Sequence, residues 1–144
     1  MDNFVFGALL GHDPDGGYLV TFPDVPEAIT HGQDVAEAKA NAAEALGLAL
    51  RGYLAQGLPL PQPLAAGEGI VQIPVEANDA IKIAVIEAFR QAGISKSEFA
   101  RRLGKAETEA YRVLDPDHAT KLASMEAALA VLGKQVVVSI RDAA

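Results

Sequence analysis

Residues 94–114 (ISKSEFARRLGKAETEAYRVL) constrain this chain most, because they suit little except two short helices meeting at a tight bend. Ser95 followed three residues later by Glu98 forms a capping box. Phe99, Ala100 and Leu103 then make one apolar stripe, and Gly104 supplies the left-handed residue that closes the first helix. The second helix, over residues 106–114, buries Ala110, Val113 and Leu114. It must end before Asp115-Pro116, since proline disfavours helical geometry in the residue before it.

Two helices bent at so short a turn form the helix-turn-helix unit that reads DNA. A plain helical hairpin has the same apolar pattern. The cations favour the DNA reading: Lys96, Arg101, Arg102, Lys105 and Arg112 crowd into this one stretch. The second helix is expected in the major groove, with Glu107, Thr108, Glu109 and Arg112 as the base-contacting candidates. Arginine to guanine and glutamate to cytosine are both sound pairings. Lys96, Arg101, Arg102 and Lys105 suit phosphates, which position a domain without reading sequence. One such domain buries little surface, so a homodimer or higher oligomer on a palindromic site is expected.

Charge divides the chain in two. Residues 1–74 carry two basic side chains against nine acidic ones, and residues 75–144 carry ten of each sign, so the whole net charge of −7 lies in the first half. An acidic half suits a basic partner, and a half with local basic patches suits phosphate. No run approaches eighteen apolar residues, so no membrane span is expected. The start of the chain lacks the basic run of a secretory signal. Cysteine is absent, which removes disulfides and cysteine zinc sites and fits a cytoplasmic location.

The first half predicts a small sheet with one helix. Residues 4–10 (FVFGALL) and 18–22 (YLVTF) flank a Pro/Asp/Gly loop and read as an antiparallel hairpin, and residues 28–31 make a third, short strand. Asp34 caps a long helix whose Val35, Ala38, Ala42, Ala45, Leu46, Ala49, Leu50 and Tyr53 recur on one face. Lys39, Glu44, Gly47 and Arg51 fall on the other. Residues 58–69 form a Pro/Gly-rich surface connection. Residues 70–75 return as a strand that Pro74 confines to an edge. One helix leaves the other sheet face short of cover.

The second half opens with a helix over residues 79–92, with Ile81, Ala84, Val85, Ala88 and Phe89 inward. A last helix follows over residues 120–132, with Leu122, Met125, Leu129 and Leu132 inward. Residues 135–140 (QVVVSI) alternate like a strand with no partner in their own half, so they are expected to pair with the same strand of a second copy or to pack on a dimer seam. The fold class is therefore α+β: a β-β-β-α-β domain over residues 1–76 and a helical helix-turn-helix domain with a C-terminal strand over residues 77–144.

Several of these segments together resemble the HicB family of antitoxins. In the first half the likeness rests on GYLVTFPDVP (residues 17–26), AITHG (28–32), and the Glu37-Ala38 and Asn41-Ala42 steps of the long helix. In the second it rests on residues 95–104, Leu114-Asp115-Pro116, Lys121-Leu122, and Leu132-Gly133-Lys134 leading into residues 136–139. The resemblance implies a partial ribonuclease H-like fold for the first half. It also implies a cognate HicA-type toxin, a small basic RNA-cleaving protein that the antitoxin masks, and binding of the second half to the operon's own promoter. Some members of that family carry a ribbon-helix-helix in the second half; this chain is similar to the helix-turn-helix type. Asp13, Asp15, Asp24, Glu27 and His31 are the candidates to meet the toxin's basic surface in place of RNA phosphates.

No catalytic residue, metal site or cofactor is expected. A working ribonuclease H centre needs converging carboxylates on two metal ions, and strands 4–10 and 18–22 hold no acid. Asp13-x-Asp15-Gly16 resembles the start of a calcium loop but lacks the later ligands and closing glutamate. His12, His31 and His118 sit beside turns without a Ser or Cys motif to serve. Two other functional classes compete. One is a one-component repressor with a ligand-sensing first domain. The other is a degraded nuclease or RNA-binding domain, which the acidic first half disfavours by repelling phosphate.

Overall fold

The computed structural model describes residues 3–143. They form two compact units that divide between Ile83 and Ala84. The order of elements is β1 (Val5–His12), β2 (Tyr18–Thr21), β3 (Ile29–Gly32), α1 (Val35–Ala55), β4 (Val71–Pro74), α2 (Ala77–Ala92), α3 (Lys96–Leu103), α4 (Glu107–Val113) and α5 (Leu122–Val131).

The first unit is a four-stranded antiparallel sheet in the order β3-β2-β1-β4. β4 takes an edge, where the missing N–H of Pro74 breaks no internal ladder. Alternation along the strands sends Phe6, Ala8, Val20 and Ile73 to one face, where all four are buried. α1 covers that face with Ala38, Ala42, Leu46, Leu50 and Leu54. The approach is close at the start of the helix because Ala38 and Ala42 are small and β3 ends in glycine. A Cβ on Gly32 would run into the backbone of Ala38. Asp34 caps α1, its Oδ1 accepting from the Glu37 N–H at 2.8 Å.

Two details of α1 differ from the sequence reading. Gly47 is buried rather than outward, because the carboxylate of Asp79 lies where its side chain would be. That carboxylate also accepts from Arg51 Nη1 at 2.8 Å. The supposed outer face of α1 is thus partly covered by the start of α2. Val35, expected inward, is exposed at the helix entrance.

α2 buries Lys82, Ile83, Val85, Ile86 and Ala88, which is more than one stripe. Its first turns belong to one compact unit and its later turns to the other, so a single inward face does not describe it.

The second unit gathers α3, α4 and α5 around Phe99, Ala100, Ala110, Val113, Met125, Ala128 and Leu129. Phe89 meets Phe99 edge-on, with ring centroids 5.4 Å apart. Leu122, expected inward, is exposed on the first turn of α5. Residues 135–140, expected as a strand, have no strand structure within the chain. A strand needs a ladder partner, and among the described residues this segment pairs with none. Val137, Val138 and Ile140 are consequently 86, 74 and 89% exposed.

Candidate functional site

The helix-turn-helix geometry follows from local chemistry. Ser95 Oγ accepts from the Glu98 N–H at 3.0 Å and starts α3. Gly104 ends it at φ +67°, ψ +32°, a left-handed position at which glycine carries no Cβ penalty. The Lys105 N–H then reaches the Ala100 carbonyl at 3.1 Å and the Gly104 N–H reaches that of Arg101 at 3.1 Å. α4 begins after extended Ala106 and buries Ala110 and Val113. At 100° per residue, Thr108 and Arg112 stand opposite those two, with Tyr111 and Glu109 on the flanks. All four are exposed.

The cations sit among internal partners. Arg101 grips Glu98 with both prongs, Nε to Oε2 at 2.7 Å and Nη2 to Oε1 at 2.5 Å, while Arg102 Nε shares Oε1 at 3.0 Å. The side chains stay open to solvent, at 73% for Arg101 and 42% for Arg102. The Glu98 carboxylate of the expected capping box is thus turned towards two arginines. Hydrogen bonds from Arg101 and then Arg102 hold that carboxyl down at about 2.

Lys96 places its ammonium 5.1 Å from the centroid of the Tyr111 ring. Glu107 accepts from the Ser97 hydroxyl at 2.7 Å and from the Tyr111 hydroxyl at 3.3 Å, so it struts α3 against α4. Its charge beside the Tyr111 phenol raises that group above its ordinary range. Lys105 is exposed just past the bend.

The sequence reading missed Glu98, Ser97 and Tyr111 as members of this surface. Glu98-Arg101-Arg102 and Glu107-Tyr111 lie at the i,i+3 and i,i+4 spacings that bring helical side chains together. That signal was there to be used. The Ser97–Glu107 contact joins two helices, and no spacing rule within one helix reveals it.

In the first unit the five acidic and histidine candidates divide by role. Asp13 accepts from the Asp15 N–H at 2.9 Å and so shapes the β1–β2 turn, leaving Asp15 exposed at its tip. Asp24 Oδ2 accepts from the N–H groups of Leu64 and Ala65, at 2.9 and 2.7 Å, and pins the connection between α1 and β4. Glu27 accepts from the Tyr53 hydroxyl at 2.7 Å, a bond that raises the Tyr53 phenol. His31 Nε2 lies 2.9 Å from the Gly16 carbonyl. A carbonyl only accepts, so the proton is on Nε2, and the ring latches β3 to the turn. Among the described residues no group of three His, Asp or Glu side chains is placed to hold a metal ion.

The sheet face away from α1 is covered only in part. At Gly7 a side chain would strike the Ala65 carbonyl and Ile70, so the pinned connection lies over that end. Farther along, the register aligns Leu9 with Thr21 and Ile29, and Gly11 with Leu19 and His31. Leu9, Leu19 and Ile29 are 43, 42 and 60% exposed there, beside the acidic turn of Asp13 and Asp15. This patch was foreseen as an uncovered face but not by residue.

Comparison with known proteins adds the relatives. The family model described as HicB-like antitoxin of bacterial toxin–antitoxin systems matches residues 6–84. Antitoxin HicB of Escherichia coli (strain K12) is 39% identical over 125 residues, covering 85% of this chain and 89% of that protein. Antitoxin HicB 1 of Photorhabdus laumondii is 33% identical, covering 88% and 80% respectively. Antitoxin HicB of Pseudomonas fluorescens (strain Pf0-1) is 29% identical over 94% of each chain.

The arginine pair predicts a pH signature. Glu98 is depressed below its ordinary 4.5, so its ion pairs stabilise the fold above that pH and are lost as pH falls towards about 2. A carboxyl-detected NMR titration should place the Glu98 midpoint below its ordinary 4.5, and Arg101→Gln with Arg102→Gln should return it towards 4.5. A wild-type midpoint near 4.5 contradicts the pairing.

Proposed function

The chain belongs to the HicB-like family of bacterial toxin–antitoxin antitoxins, and from that premise we propose that it neutralises one protein and silences one promoter. The first unit binds a HicA-type toxin, a small basic ribonuclease. The second binds operator DNA of the chain's own operon. The reading makes the protein a non-enzymatic regulator acting in the cytoplasm, without cofactor or metal. No helix among the described residues is long and apolar enough to cross a membrane.

The observation that carries the proposal is the pairing of two unlike surfaces in one chain. An apolar patch edged by acids suits a basic protein partner, since charge steers the encounter and apolar contact holds it. Leu9, Leu19 and Ile29 form the centre of the proposed toxin face. Asp13 and Asp15 supply charge at its rim, and His31, held by the turn, lies on the same face. Asp24 and Glu27 are assigned a supporting part, because each carboxylate already accepts an internal hydrogen bond. Apolar side chains left exposed on a sheet face suit a protein partner, whereas a small ligand needs an enclosing concavity. That favours the antitoxin reading over a ligand-sensing repressor.

For DNA, Thr108, Glu109 and Arg112 are the proposed base readers, and Glu107 has a second task as a strut. Lys96, Arg101, Arg102 and Lys105 are proposed to meet phosphates. The exposed valines and isoleucine of residues 135–140 support a homodimer, in which two copies of that segment complete each other's ladder.

Leu19→Glu with Ile29→Glu should leave the fold intact and weaken binding to the toxin encoded beside this gene at least thirtyfold, about 2 kcal/mol, in calorimetric titration. Unchanged affinity would move the toxin to another surface. Arg112→Ala should cost about 1–3 kcal/mol on the native operator and far less on random duplex, measured by fluorescence anisotropy. Equal loss on both would make Arg112 a phosphate contact.

A further inference from the structure

Two of the four cations assigned to phosphates are already occupied by a carboxylate. Glu98 fills the fork of Arg101 and touches Arg102 at distances of 2.5 to 3.0 Å, and all three groups are reachable by solvent. A carboxylate oxygen pair presents to a guanidinium the same two-pronged acceptor that a phosphate does. Exposed pairs of this kind are weak and exchangeable, so DNA can take the arginines over. When it does, Glu98 is left beside the phosphate backbone with its own negative charge.

We propose that Glu98 is an internal phosphate mimic that masks Arg101 and Arg102 and so weakens the protein's grip on the DNA backbone. The inference rests on the DNA reading of the second unit and adds to it a residue that sets how much of the binding is electrostatic. The triad of one acid and two bases presents one net positive charge where two arginines alone present two. Glu107 of α4 accepts from Ser97 and Tyr111 rather than from either arginine. Backbone attraction alone cannot then hold the protein on arbitrary duplex as strongly as its cation count suggests. More of the affinity falls to the groups on α4 that face the bases.

The test is Glu98→Gln in the full chain, which keeps the shape and the helix-starting N–H while removing the charge. Each phosphate neutralised steepens the dependence of log K on log salt by about 0.9. The variant should therefore bind both operator and random duplex about five- to tenfold tighter near 0.1 M salt, with a slope steeper by about one unit. It should also elute later from a heparin column. Glu98→Gln with Arg101→Gln restores the net charge and should return slope and elution to the wild-type values. An unchanged slope and elution would show that the arginines are already available to DNA, and weaker binding would show that Glu98 positions them instead; either overturns the proposal. Circular dichroism melting of each variant separates these outcomes from a loss of fold. If wild-type protein binds no duplex while Glu98→Gln still elutes later from heparin, the DNA reading falls and the masking stands.

Discussion

A four-stranded sheet has two faces, and this unit has one long helix to lay against them. That shortage governs the first half of the molecule. α1 approaches one face closely because Ala38 and Ala42 are small and Gly32 has no side chain to hold it off. The opposite face receives a proline-rich connection at one end, and that connection stays in place through two N–H groups bound to one carboxylate of Asp24. What the connection does not reach is the patch of Leu9, Leu19 and Ile29. Its exposure follows from the economy of the fold, and it is there that the proposed protein partner would bind.

The second unit solves a different problem. Three short helices enclose a small core, and the turn at Gly104 fixes the angle at which α4 is presented. Its outward side chains are polar because they have no core to join. Around them the charges are arranged in pairs rather than left as a bare cationic field: Glu98 with two arginines, Glu107 with Ser97 and Tyr111, Lys96 over an aromatic ring. Such a surface holds its side chains in defined places at the cost of raw electrostatic attraction. That trade agrees with the proposed reading of one operator among many competing sequences.

Much of the architecture was legible in the residues. The Asp34 and Ser95 caps, the stop at Gly104, the hairpin around Asp13 to Gly17 and the edge position of Pro74 each follow from one local rule, and local rules act without knowledge of the rest of the chain. The misreading of Gly47 in α1 and that of α2 have a common origin. Gly47 is buried by Asp79, thirty-two positions away, and α2 serves two units at once. Periodicity within one helix carries no information about a second covering layer. The candidate site divides in the same way. The exposure of Thr108 and Arg112 was readable from helical spacing, whereas the occupation of Asp24, Glu27 and His31 by internal bonds arises from contacts across 15 to 41 positions.

The central claim is that separate surfaces of one chain engage separate macromolecules. Hydrogen–deuterium exchange on the full protein, with the neighbouring toxin and with operator duplex in turn, tests it most directly. The account predicts slowed exchange in β1, β2 and β3 with toxin and in residues 95–114 with DNA. Both ligands protecting the same elements, or neither protecting the sheet, would contradict it.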